Sequence, residues 1–118
     1  MPFGHASVYD PPSVEPAGLR VLITRRWPRG IRKERIDVWL KDAAPSGELL
    51  DAYQHGGLGW GDFEMRYRAE ILDERPSVLK QLRHLDGEHG RITLLCVERI
   101  PPAEHCHRLL LLDLLTLS

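Results

Sequence analysis

Cysteine is scarce in this sequence. Cys96 and Cys106 are the only two, and nothing in their spacing reads as the disulfide framework of a small secreted domain. No leader-like segment opens the chain, so the expected setting is a reducing cytoplasm. No apolar run approaches the roughly 20 residues that span a bilayer. The Leu-rich end is too short and is interrupted by Asp113, and no membrane partner is expected. Net charge is also missing: 16 Lys and Arg stand against 17 Asp and Glu, giving −1. That balance excludes a general nucleic-acid coat and leaves only local patches. Repeats, low-complexity tracts and interdomain linkers are absent too. The 118 residues therefore read as one domain over 1–118, large enough to bury a core without metal or disulfide support. Residues 1–7 are expected to be a loose terminus and 11–18 a Pro-rich loop.

What is present is a local concentration of positive charge. Arg25-Arg26-Trp27-Pro28-Arg29-Gly30-Ile31-Arg32-Lys33 puts five cations, one indole, a proline and a glycine into nine residues. Guanidinium groups present planar donor forks that match phosphate or carboxylate, and an indole can stack on a flat group. The plain structural alternative is that Trp27 packs inward, Pro28 and Gly30 shape a turn, and the arginines pair with acids such as Glu34 and Asp37.

Hydrophobic patterning supplies the elements. Val8-Tyr9 reads as a short strand cut off by Asp10-Pro11-Pro12. Leu19 to Thr24 and Ile92 to Val97 are short apolar runs of the kind found in buried strands. Ile36 to Leu40 fits either a strand or a short helix. Pro45-Ser46 ahead of Glu48-Leu49-Leu50 starts a helix with Ser46 as N-cap, stopping near Gly56-Gly57. Trp60, Phe63, Tyr67 and Ile71 recur at helical spacing. Val78, Leu79, Leu82 and Leu85 mark a third helix ending near Gly87, and a fourth runs from about Glu104. Strands separated by helices predict an α/β fold, a single compact domain with a small, mostly parallel sheet flanked by helices. In such folds ligands bind beyond the carboxyl ends of the strands. If the two apolar strands are parallel, the turn after the first and the segment Glu98 to Arg108 after the second share one edge.

These residues resemble a known family. Val8-Tyr9-Asp10-Pro11, Arg20-Val21-Leu22-Ile23, Trp27-Pro28-Arg29-Gly30, Ala44-Pro45-Ser46-x-Glu48-Leu49 and Phe63-x-x-x-Tyr67-x-x-Glu70 are similar to the YeaO-like group of the domain of unknown function numbered 488. Leu95-Cys96-x-Glu98 followed by Glu104-His105-Cys106-His107-Arg108 resembles that family's longer branch. The resemblance implies a small α/β protein and brings no established activity. It also marks a departure: where the family has Asp-Arg-Leu before Trp-Pro-Arg-Gly, this chain has Thr24-Arg25-Arg26, so no acid stands at Thr24.

The candidate sites follow. Arg25, Arg29, Arg108 and Trp27 are the anion-binding set, for a phosphorylated or otherwise anionic small molecule at the carboxyl edge of the sheet. Asp10, Cys96, His105 and His107 are the weaker catalytic candidates, with Cys96 as nucleophile and a histidine as base. Two thiols and two imidazoles are zinc-ligand types. However, three adjacent residues on a helix fan out by about 100° each, so no metal site and no cofactor is assigned. The bland alternative makes Cys96 a buried apolar strand residue. Two other readings stand beside the anion site. One is a nucleic-acid module using the Arg25–Lys33 stripe, the less favoured. The other is an interaction module, including a homodimer, formed through the Leu-rich final helix.

Overall fold

A computed structural model describes residues 3–9, 18–97 and 105–116. The strands are β1 (Phe3–Ser7), β2 (Leu19–Leu22), β3 (Val38–Trp39) and β4 (Ile92–Cys96). They form one sheet in the order β1-β4-β2-β3, and every pairing in it is parallel. The helices are α1 (Gly47–Gln54), α2 (Trp60–Ala69), α3 (Ser77–His89) and α4 (His107–Thr116). α2 runs on into a π-turn over Glu70–Glu74.

β4 is the last strand in sequence yet sits between β1 and β2, with Ser7 opposite Cys96 and Leu22 opposite Leu95. All five of its residues are buried, which is why it reads as a continuous apolar run rather than an alternating one. Its residues divide by the two-residue period of a strand. Ile92 and Leu94 join Val21 and Ile23 on one face, against Phe63, Tyr67, Leu82, Leu111 and other residues of all four helices. Leu95 and Leu22 join Val8 on the opposite face, which is covered by Trp27, Ile31, Ile36 and Trp39. The helices thus gather on one side, and the segment between β2 and β3 closes the other.

The N-terminal expectation needs correction. Residues 3–7 form an edge strand, and Val8 and Tyr9 lie in the turn after it. Phe-Gly-His-Ala-Ser has little intrinsic strand preference. It is extended because the parallel ladder of β4 satisfies its backbone. Asp10 and the Pro-rich stretch 11–17 lie outside the described residues. Gly18 enters β2 with φ +73°, and a Cβ there would stand 2.1 Å from the Arg91 carbonyl oxygen, so only glycine fits.

Ser46 caps α1 as expected, its Oγ accepting the Leu49 N–H at 3.1 Å. α4 begins at His107, later than the sequence implies, and it is covered from within the chain. Leu110, Leu111, Leu114 and Leu115 are buried in the helix-side core, with Leu112 packed against that core. The leucines of this helix that stay half-buried among the described residues are Leu109 and Leu112. Among the described residues no helix is long and apolar enough to cross a membrane.

Candidate thiol–imidazole site

The carboxyl ends of β2 and β4 are neighbours, joined beyond the strand residues by Ile23 N–H donating to the Leu95 carbonyl at 3.0 Å. Cys96 closes β4 on the helix side of the sheet. Cys106 stands immediately before α4 and His107 is that helix's first residue. The three side chains meet. The sulfurs are 3.1 Å apart, and His107 Nδ1 lies 3.8 Å from Cys96 Sγ and 4.0 Å from Cys106 Sγ. Both cysteines are thiols and are buried.

The other ring nitrogen fixes the imidazole's role. His107 Nε2 is 2.7 Å from the Ile23 carbonyl oxygen. A carbonyl only accepts, so Nε2 carries a proton, and Nδ1 is the nitrogen turned toward the thiols. Tyr67 packs edge-on to this ring at 5.8 Å. Its hydroxyl donates to the Ala43 carbonyl at 2.6 Å, and burial pushes its pKa far above the ordinary phenol value.

The Cys106 thiol is lowered to about 6. The hydrogen bond shared with Cys96 is the largest cause, opposed by burial, with His107 and the backbone N–H of Arg108 adding to the lowering. The last of these is a helix-start effect: Cys106 occupies the capping position, where free N–H groups and the helix dipole favour negative charge. Stability follows from the sign of the shift. A thiol whose pKa is lower folded than unfolded stabilises the fold fully above about pH 9 and loses that contribution as pH falls toward 6. Denaturation midpoints measured across that window are expected to fall with decreasing pH in the wild type, and the slope is expected to flatten in Cys106→Ser.

The same three atoms all lie within 4.8 Å of one another and could hold a soft metal ion. The geometry departs from zinc in one respect. Two thiolates bound at about 2.3 Å with a tetrahedral angle sit about 3.8 Å apart, whereas these sulfurs are at 3.1 Å. An ion held by both thiolates would therefore need the sulfurs to move apart.

The other candidates are spread out. His105 is exposed and stacks on Trp60, with centroids 4.4 Å apart, away from the sulfurs. Arg108 is buried on α4, its Nε donating to His5 Nδ1 of β1 at 3.2 Å. Burial, together with the Arg108 charge, holds the His5 pKa below its usual value. Trp27 lies on the opposite face of the sheet from Arg108, edge-to-face with Trp39 at 5.3 Å, its Nε1 donating to the Ile31 carbonyl at 2.8 Å. The ring is thus a packing element of the second core, and the four-residue set does not assemble around one space. Arg25 Nε donates to the Pro45 carbonyl at 2.9 Å. Arg29 is exposed, and its carbonyl accepts from Tyr9 Oη at 3.0 Å. Asp37 pairs with Arg20 of β2, at 2.9 and 3.0 Å, rather than with the basic turn.

The sequence reading set a zinc site aside because it placed His105, Cys106 and His107 together on a helix starting near Glu104. With the helix starting at His107, Cys106 and His107 can face the same strand end. The readable signal was a capping position occupied by a thiol.

A parallel four-stranded sheet with a Cys–Cys–His cluster at its carboxyl edge defines a small α/β domain bearing a buried thiol pair. The chain belongs to DUF488-N3a, the active DUF488-N3 subclade, whose family model matches residues 5–118. It is similar to the uncharacterized proteins Mb3100c of Mycobacterium bovis and Rv3073c of Mycobacterium tuberculosis. Each is 42% identical over 85 residues, covering 70% of this chain and 69% of the relative. It is also similar to the uncharacterized protein YeaO of Escherichia coli, 39% identical over 66 residues, which is 54% of this chain and 56% of that protein. No solved structure matches the chain.

Proposed function

We propose that this domain is a thiol-dependent enzyme acting on a small anionic, electrophilic molecule at the carboxyl edge of the sheet. The observation that carries the reading is the meeting of Cys96, Cys106 and His107 where the two central strands end. Cys106 is the nucleophile and His107 Nδ1 takes its proton, the tautomer being set by the Ile23 carbonyl. Cys96 donates its S–H to the thiolate so formed. The family description, an active subclade, agrees with a catalytic role. Arg25 and Arg29 follow β2 from that edge, whereas Arg108 is buried against His5 of β1. Arg29 is exposed and makes no ion pair with a described residue, which suits it to attract an anion.

The test is alkylation with iodoacetamide across pH, with each cysteine followed by peptide mass. Cys106 is expected to react at pH 7 nearly as fast as at pH 9, whereas an ordinary thiol accelerates on the order of 20-fold over that interval. His107→Ala is expected to slow the reaction at pH 7. Protection by phosphate or sulfate, reduced in Arg29→Ala, would support the anionic substrate. Modification of Cys106 only above pH 8, or of Cys96 alone, would overturn the assignment.

A further inference from the structure

Cys96 Sγ and Cys106 Sγ are close enough to do more than share a proton. They stand 3.1 Å apart, ten positions apart in sequence, at the end of β4 and the start of α4. A disulfide needs the sulfurs at about 2.05 Å with Cβ atoms near 3.8 Å, a closure of about one ångström from the reduced arrangement. His107 Nδ1 lies within 4.0 Å of both sulfurs, so one base serves either thiol. Both cysteines are at most 3% exposed, so the fitting reactants are small ones, iodoacetamide and hydrogen peroxide among them.

We propose that Cys106 is a peroxide-sensitive modification site and Cys96 its resolving thiol, the pair closing to a reversible intramolecular disulfide. The inference rests on Cys106 being the reactive thiol, as set out above. In the first step the Cys106 thiolate attacks one oxygen of a small hydroperoxide. The O–O bond breaks, the sulfur is oxidised by two electrons to a sulfenic acid, and hydroxide or alkoxide leaves and takes the proton that His107 received from Cys106. In the second step Cys96 loses its proton to His107 and attacks the sulfenic sulfur. The S–O bond breaks, water leaves with the proton that His107 returns, and the S–S bond forms. With hydrogen peroxide the sum is two thiols plus one peroxide giving one disulfide plus two waters. Closure consumes the nucleophile, so the oxidised protein lacks the thiolate of the proposed reaction until an external thiol reduces it.

The experiment treats the folded, reduced protein with hydrogen peroxide and reads intact mass and digests. The expected product has lost two hydrogen atoms, yields a peptide linking Cys96 to Cys106, resists iodoacetamide and reverts with dithiothreitol. In Cys96→Ser the sulfenic acid at Cys106 is expected to persist long enough for trapping by dimedone. Circular dichroism confirms that this variant is folded, and a wild-type protein showing the linked peptide keeps the proposal testable if it is not. Rapid alkylation of Cys106 at pH 7, with peroxide giving only sulfinic acid in the wild type, would overturn the disulfide and leave the nucleophile reading intact. Inertness of Cys106 to both reagents, relieved by urea, would overturn both. Zinc retained on the purified protein, with thiols that react only after chelation, would overturn the disulfide as well.

Discussion

Leu111→Ala is expected to lower unfolding free energy by about 2–5 kcal/mol, read from urea denaturation. Leu111 is fully buried on α4, within the core that also holds Leu94 of β4 and Tyr67 of α2. Truncation loses the transfer free energy of the side chain and leaves a cavity that the sheet and helices on either side can only partly close. Alanine is the better helix former, so the loss cannot be assigned to α4 itself. The matched control is Leu109→Ala, one residue into the half-buried side of the same helix, expected to cost about 1 kcal/mol or less. Against a typical total of about 5–15 kcal/mol, the first substitution threatens folding and the second does not. Equal effects would mean that the apolar side chains of α4 are not covered as described.

Glu70→Ala is the second large effect, expected at about 2–4 kcal/mol. One carboxylate serves three donors. Its Oε1 accepts from the Ser46 N–H at 2.9 Å and from Arg75 Nη2 at 3.0 Å, and its Oε2 accepts from Ser46 Oγ at 2.5 Å. The Glu70 and Arg75 side chains are only 15% and 21% exposed, so water replaces the lost partner incompletely. Arg75 also donates to the carbonyls of Asp42 and Ala44. Removing the acid therefore loosens the join between the π-turn, the residues after β3 and the cap of α1. Glu70→Gln keeps an acceptor oxygen but turns an amide toward one of the donors, and is expected to lose about half as much. Thermal or urea unfolding of the two variants side by side checks the order, and a Gln variant weaker than Ala would contradict the network.

Periodicity carried most of the architecture. Trp60, Phe63, Tyr67 and Ile71 mark α2 because one helical face meets one core, and Ile92 to Cys96 mark β4 because both of its faces are covered. β1 escaped because its sequence gives no strand signal and its conformation comes from a partner nearly ninety residues away. The π-turn after Ala69 was unreadable for a related reason: the Arg75 N–H donates to the Glu70 carbonyl at 2.9 Å, a fifth-residue bond that no apolar spacing encodes. At the site, Cys96 was legible as a buried strand end, and its meeting with Cys106 and His107 depended on where α4 starts. Trp27 was legible as a turn residue, but its face of the sheet was not, because alternation fixes faces only after the register is known.

The place of β4 in the sheet bears on how the chain is made. β1 and β2 emerge from the ribosome before β4, yet neither has its main partner until residues 92–96 follow, and both flank a slot that only β4 fills. A nascent chain stalled before that point presents an unpaired β1, one open edge of β2 and an open core. The sheet can therefore close only once β4 has emerged, and the thiol pair at its edge only once Cys106 has followed it.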